Sequence, residues 1–145
     1  MKYSITNEGN ECYRIRFLNP PEYCHALGMA PEEIEPNLIK GNWIILLVAV
    51  WSGPDRAAVD FALKSMDEMK DKNINLGVRP FNMHSEISKW CAEAKEKWRS
   101  PVWLWLKDGK LVDEKSGLLT ENSFFAATFS AFQIASLLRP CPFEK

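Results

Sequence analysis

The sequence predicts an α/β protein in which a mixed β-sheet lies between helices. Three observations support this class. Segments with the two-residue period of strands alternate with segments of helical period. Residues 43–50 (WIILLVAV) are apolar on both faces, which is typical of a central strand covered by helices on both sides. Asp108-Gly109 joins two strand-like segments and supplies the residue types of a tight hairpin turn.

The N-terminal part predicts one strand and two short helices. Apolar and charged side chains alternate in residues 12–18, which indicates a half-buried strand. The prolines that follow indicate the start of a helix over 19–29, and Gly28 ends it. A second short helix is expected within 30–42, closed by Gly41.

Helices and strands then alternate after the central strand. Residues 53–70 carry small and apolar side chains along one face and charged ones along most of the other, as an amphipathic helix does. Residues 74–81 form a weaker strand, and Pro80 places it near a strand end or a sheet edge. A helix is expected over 85–98, with Ser85 as its N-cap.

The C-terminal third predicts a hairpin followed by a helix. Two strands within 101–117 flank the Asp108-Gly109 turn, and Trp103 and Trp105 point the same way toward a helix layer. Thr120 is expected to cap a final helix over 121–139.

Composition excludes several classes of function. The 145 residues predict a single domain over 1–145, and the net charge of −1 gives no footprint for nucleic acid or an anionic membrane. The longest apolar run, 43–51, is too short to span a bilayer, and the N-terminus lacks the apolar core of a secretory signal. We therefore expect a cytoplasmic protein. Its four cysteines are widely spaced and predict free, mostly buried thiols with no zinc site (Cys12, Cys24, Cys91 and Cys141).

Two motifs resemble the thioredoxin family. "VAVWSGPD" (48–55) resembles its apolar strand leading into W-C-G-P-C, and "SPVWLWLKDGKLVDEKSGLLT" (100–120) resembles its x-P-T strand, its hairpin and the entry to its last helix. The resemblance covers about 12–139. It implies a thioredoxin-like fold with a variable N-terminal extension (1–40), a best-matching core (41–139) and a tail (140–145). It also implies that Pro101 is cis and faces the active-site turn.

Aligned on these motifs, the sequence lacks the residues that carry out the redox chemistry of the family. Ser52 and Asp55 stand where the family has its attacking and resolving cysteines, and Leu46 stands where it has a buried acid. Thiol–disulfide exchange needs a thiolate nucleophile and a second thiol, which serine and aspartate do not supply. With no base beside them, Ser52 and Asp55 are interpreted as N-terminal helix residues suited to capping and to the helix dipole.

The main hypothesis is therefore a redox-inactive protein that binds a protein or peptide, as a chaperone, adaptor or assembly subunit. The resemblance implies a groove that pairs an extended peptide by strand addition. No catalytic residue, cofactor or metal is expected. The groove residues are Trp51, Ser52, Gly53, Pro54, Asp55, Ser100 and Pro101.

Two alternatives stay open at this point. One is a thiol-dependent oxidoreductase or transferase that uses Cys91 or the Ser52 hydroxyl, with His84 or His25 as the only imidazole bases. The other concerns the last helix, which has almost no polar face from 124 to 138. Either the tail and the N-terminal segment cover it, or another chain does, which is a partner protein or a second copy that forms a homodimer. The candidate interface residues are Phe125, Phe129 and Phe132.

Overall fold

A computed structural model of the chain describes residues 2–7, 13–26, 40–49, 53–81 and 101–134. These residues form seven strands and two helices. The strands are β1 (Lys2–Asn7), β2 (Tyr13–Leu18), β3 (Cys24–Ala26), β4 (Asn42–Ala49), β5 (Ile74–Phe81), β6 (Val102–Lys107) and β7 (Lys110–Ser116). The helices are α1 (Gly53–Glu68) and α2 (Glu121–Phe132).

Five of the strands form one mixed sheet in the order β3-β5-β4-β6-β7. Strands β3, β5 and β4 are parallel, and β6 and β7 are antiparallel to their neighbours. Strands β1 and β2 pair with each other in a separate antiparallel hairpin. The mixed sheet and the alternation of strands and helices confirm the predicted α/β class.

Strand β4 lies at the centre of the sheet, as its apolar faces predicted, and residues 43–49 are all buried. Ile44, Leu46 and Val48 point into the same core cluster as the buried faces of α1 and α2. Trp103 and Trp105 of β6 also lie in this cluster, which confirms their predicted role as core residues. Their rings contact Phe124 of α2, with centroids 5.5 and 6.4 Å apart. Contacts between aromatic rings of β6 and α2 therefore help to hold the helix layer to the sheet.

The predicted helix over 19–29 is wrong where the structure describes that segment. The consecutive prolines form a turn instead, in which Asn19 has φ +52° and the Cys24 N–H donates to the Pro21 carbonyl at 3.0 Å. Residues 24–26 then pair with β5 as the edge strand β3. A proline signal fits the start of a helix or a turn, and here pairing with a neighbouring strand decides between them.

The strand Lys2–Asn7 was not predicted. It completes a hairpin with β2, whose Ile15 side chain is buried in the core cluster. The Tyr3 hydroxyl donates to the Arg56 carbonyl at 3.2 Å, so the hairpin is anchored to the first turns of α1. Within the predicted N-terminal extension (1–40), residues 2–7 and 13–18 thus form a hairpin on this helix, and residues 24–26 belong to the five-stranded sheet as β3.

The hairpin between β6 and β7 turns at Asp108-Gly109, as predicted. Both residues have positive φ, 50° and 82°. The Asp108 carboxylate accepts the Gly41 N–H at 2.9 Å, which joins this turn to the entry of β4. Pro80 lies one residue from the end of β5, in agreement with the near-end placement.

Thr120 caps α2, as predicted, and its hydroxyl accepts the Ser123 N–H at 3.1 Å. The helix ends at Phe132 and not at residue 139, because Gln133 adopts a left-handed conformation with φ 54°. The helix expected over 85–98 lies outside the described residues, and so do residues 30–39 of the one expected within 30–42. Within the described part of the chain, no helix is both long and apolar enough to cross a membrane.

Candidate functional site

Three segments of chain meet at one end of the sheet. Leu47 of β4 pairs with Val102 of β6, and Val102 pairs with Ser116 of β7. The end of β4 with the start of α1, the residue before β6 and the residue after β7 therefore lie side by side. The described residues of the expected groove belong to these segments (Gly53, Pro54, Asp55 and Pro101).

The first turn of α1 presents an open surface at this end. Gly53 and Pro54 are both exposed. A side-chain carbon added at Gly53 would meet no atom within 4 Å, so the space beside it is free. Proline suits a first helical turn because its missing N–H has no partner to lose there.

Asp55, one of the expected groove residues, lies in the first turn of α1, and its side chain is turned away from solvent. Its side chain is 0% exposed, and one carboxylate oxygen accepts the Ala49 N–H at 2.6 Å. Strand β6 pairs with β4 only as far as Leu47, so Asp55 supplies an acceptor beyond the end of that ladder. A carboxylate in the first turn also interacts favourably with the helix dipole. Asp55 therefore joins strand to helix from beneath the turn.

Pro101 is buried and bound to the segment after β7. Its carbonyl accepts the Gly117 N–H at 2.7 Å, and the Gly117 carbonyl accepts the Trp103 indole N–H at 2.8 Å. Gly117 has φ +85°, a conformation that glycine adopts without strain. The next residue, Leu118, is 61% exposed. An exposed apolar residue thus follows directly on the glycine that bonds Pro101.

The structure brings together Gly53, Pro54, Asp55 and Pro101 among the expected groove residues. Trp51, Ser52 and Ser100 lie outside the described residues and stay predictions. The cis state of Pro101 also stays a prediction, because its peptide bond joins it to Ser100. Sequence reasoning missed Leu118. The signal for it is the G-x-x-T entry to the last helix, Gly117 to Thr120, in which Leu118 follows the glycine.

The described parts of the enzymatic alternative do not converge on this sheet end. His25 lies against Trp43, with ring centroids 4.8 Å apart, and its Nε2 is 3.2 Å from the Asn75 amide oxygen. Trp43 is six residues before Ala49 on β4, about 20 Å along the strand. His25 therefore lies far from the end of β4 at which α1 begins. His84 and Cys91 lie outside the described residues.

Cys24 is a buried free thiol, as expected of the cysteines in general. Burial, and after it the Asp67 carboxylate, raises the pKa of Cys24 to about 11. Because the thiolate is the reactive form, this cysteine is unsuited to thiol chemistry near neutral pH.

The three phenylalanines of the expected interface are buried within the single chain. Phe125, Phe129 and Phe132 are 5, 8 and 4% exposed, and all three belong to the core cluster. They form no exposed apolar face, so the reason for expecting a second copy at α2 is removed. The homodimer itself stays an untested prediction.

Within residues 2–7, 13–26, 40–49, 53–81 and 101–134, no three histidine, cysteine or acidic side chains are grouped closely enough to hold a metal ion.

Comparison with solved structures identifies the architecture. A mutant thioredoxin from Halobacterium salinarum superposes with a TM-score of 0.57 at 13% identity, over 82% of this chain and 99% of that one. The thioredoxin of Malassezia sympodialis gives 0.56 at 16% identity, over 80% and 96%. Mitochondrial thioredoxin 3 from Saccharomyces cerevisiae gives 0.51 at 20% identity, over 65% and 84%. No protein-family model and no curated protein matches the sequence. The chain therefore has the thioredoxin fold, as the two motifs indicated.

Proposed function

We propose that this protein is a redox-inactive, thioredoxin-like binding module that holds an extended segment of a protein partner at the end of the sheet formed by β4, β6 and β7. Its role is that of a chaperone, an adaptor or an assembly subunit. The binding surface consists of Trp51, Ser52, Gly53, Pro54, Ser100, Pro101 and Leu118. Asp55 supports this surface from beneath.

The observation that carries the proposal is the position of Asp55. The sequence has aspartate where the resembled motif has its second cysteine, and the carboxylate is buried and hydrogen-bonded to Ala49. A buried carboxylate stabilises the turn but resolves no disulfide. Asp55 therefore supports the shape of the turn. Neither of the two positions that carry cysteine in the resembled motif, Ser52 and Asp55, has a sulfur atom.

The surroundings of Pro101 limit how a peptide can bind there. The Pro101 carbonyl is already bonded to Gly117, and proline has no N–H. Strand addition at this point therefore depends on the backbone groups of Ser100, with Leu118 as an apolar contact for an alternate side chain of the peptide.

A peptide array first identifies a peptide that binds the protein. The affinity of this peptide is then measured for the wild type and for two matched variants of the protein. We expect Leu118→Ser to weaken binding about tenfold, since burying a leucine side chain contributes about 1.5–3 kcal/mol. Val112→Ser is the control, because Val112 is 47% exposed on β7 but lies near the hairpin turn at the far end of the strand. Equal losses for the two variants would exclude this surface.

A second comparison concerns the turn. Trp51→Ala should weaken the same peptide more than Ser52→Ala, because the indole offers contact area and the hydroxyl offers one hydrogen bond. The opposite order would favour chemistry at Ser52. The protein should also fail to accelerate insulin reduction by dithiothreitol, and activity abolished by Cys91→Ser would overturn the proposal in favour of the enzyme.

A further inference from the structure

Strand β7 lies at one edge of the five-stranded sheet. It pairs with β6 on one side, and among the described residues no strand pairs with its other side. Two apolar residues near its start are exposed, Leu111 by 37% and Val112 by 47%. An exposed edge strand is a template for pairing with another chain, and proteins prevent such pairing by local features of the edge.

The hydrogen bonds of the hairpin determine which backbone groups of β7 point away from the sheet. The Gly117 N–H donates to the Pro101 carbonyl, so these two residues form a hydrogen-bonded pair. From there the register continues without interruption as far as Asp113. Bonded and non-bonded pairs alternate along an antiparallel ladder, so the N–H groups of Glu114 and Ser116 point away from β6.

One of these two N–H groups already has an acceptor within the strand. The Glu114 N–H donates to the Asp113 carboxylate at 2.8 Å. Hydrogen bonds to an ionised acceptor are stronger than those between neutral groups. A strand added at this edge would have to replace the carboxylate by a neutral carbonyl and leave the displaced charge at the new contact.

The part of the edge nearer the turn is interrupted by a β-bulge. The register shifts between Trp105 and Leu106, so that Val112 has no residue opposite it on β6. A bulge bends its strand and disturbs the spacing that an added strand must match. Regular pairing is therefore restricted to residues 113–116, and the Glu114 N–H is one of the two donors that this part offers.

From this geometry we infer that Asp113 is an intramolecular block, which keeps the β7 edge closed to strand addition by a second copy of this chain. In an antiparallel pairing of two copies centred on Asp113, positions 112 and 114 face each other, as do 111 and 115. Apart from Asp113 itself, no position in this pairing faces a residue of its own charge. The block is independent of the peptide surface proposed above, which lies at the end of the sheet.

Two substitutions at position 113 separate the hydrogen bond from the charge. Asp113→Ala removes both, whereas Asp113→Asn removes the charge and keeps a side-chain oxygen that accepts the Glu114 N–H. Sedimentation equilibrium measures self-association. The association constant of Asp113→Ala should exceed that of the wild type at least about tenfold, because each copy gains an N–H that a second strand can bond. Asp113→Asn should associate no more than the wild type.

Hydrogen exchange measures the block within the single chain. In dilute protein the Glu114 amide should exchange about three- to tenfold faster in Asp113→Ala than in the wild type, the range expected for one hydrogen bond. The rates are corrected for the intrinsic exchange of each sequence. Asp113→Asn should retain the wild-type rate.

A double variant locates the contact. Glu114→Pro, added to Asp113→Ala, removes the outward N–H, and proline is tolerated on an edge strand where that group faces solvent. Self-association should then return to the wild-type level. Association that persists in the double variant, that is absent from Asp113→Ala, or that is equal in Asp113→Asn and Asp113→Ala overturns the inference. So does an unchanged exchange rate at Glu114 in Asp113→Ala. Urea unfolding verifies that each variant is folded.

Discussion

The residue on which the account depends most is Asp55. Among the aspartates of the described residues it is the buried one, and it bonds the backbone of Ala49 at the end of β4. Charge-assisted hydrogen bonds to backbone N–H groups are about twice as strong as neutral ones, and burial excludes water as a substitute partner.

Asp55→Ala should therefore lower the free energy of unfolding by about 2–3 kcal/mol, because a buried N–H loses its acceptor. Asp60→Ala, on the exposed face of the same helix, should change it by less than about 0.5 kcal/mol. Urea unfolding measures both. Similar values for the two variants would show that Asp55 does not join β4 to α1.

A second buried polar group is the Thr128 hydroxyl. It accepts the Trp105 indole N–H at 2.9 Å and donates to the Phe124 carbonyl at 2.8 Å. Thr128→Val preserves the shape but leaves the indole N–H without this acceptor, so the free energy of unfolding should fall by about 1–3 kcal/mol. Thr128→Ser keeps the hydroxyl, and a loss as large as that of the valine variant would contradict the hydrogen-bond interpretation.

Because the Cys24 thiol is buried, the free energy of unfolding should depend on pH in the alkaline range. Its pKa is about 11 in the folded chain, above the ordinary value of 9.0, so the folded chain keeps this proton to higher pH than the unfolded chain. The stabilisation is complete below pH 9 and is lost as the pH rises from about 9 to about 11. The difference in unfolding free energy between the wild type and Cys24→Ala, measured by urea unfolding at pH 8 and at pH 10, should shrink at the higher pH. A difference that is equal at the two pH values would contradict the burial of the thiol.

At the scale of elements, helix α2 begins where its sequence says and ends earlier than its apolar pattern suggests. The Thr120 cap is local chemistry, which the sequence shows directly. The end at Phe132 depends on the left-handed Gln133, whose N–H bonds the Phe129 and Ser130 carbonyls. No glycine or proline marks this position, so the apolar residues that follow extended the prediction to residue 139.

Thr120→Ala should lower the free energy of unfolding by about 1 kcal/mol, since it removes the acceptor of the Ser123 N–H. Ser130→Ala, on the exposed side of the same helix, is the control and should be neutral or slightly stabilising. Thermal unfolding of the two variants is sufficient. Equal stability of Thr120→Ala and the wild type would mean that the cap contributes nothing.

Strand β3 shows why short edge elements escape prediction. Its three residues carry no periodicity, and its backbone pairs with Leu76, Gly77 and Val78, more than fifty positions further along the chain. Such pairing is a tertiary effect and outweighs a local helix signal. Strand β4 and the Asp108-Gly109 hairpin were predictable because a continuous apolar run and a turn dipeptide are local.

For the whole molecule, the sequence predicted the fold better than the site. Two motifs identified the architecture, and solved thioredoxin structures superpose on it. The site was predicted from the same motifs, which mark positions but not burial. The motifs therefore do not show that Asp55 of the expected groove is buried, that Phe125, Phe129 and Phe132 of the expected interface are core residues, or that Leu118 is exposed.

The central claim is that the end of the sheet binds without thiol chemistry. The most direct test measures the affinity of the array-selected peptide before and after all accessible thiols are blocked with N-ethylmaleimide, with intact mass spectrometry of the complex. We predict the same affinity in both conditions and no covalent adduct. An affinity that disappears on blocking, together with a mixed disulfide at Cys91, would contradict the account.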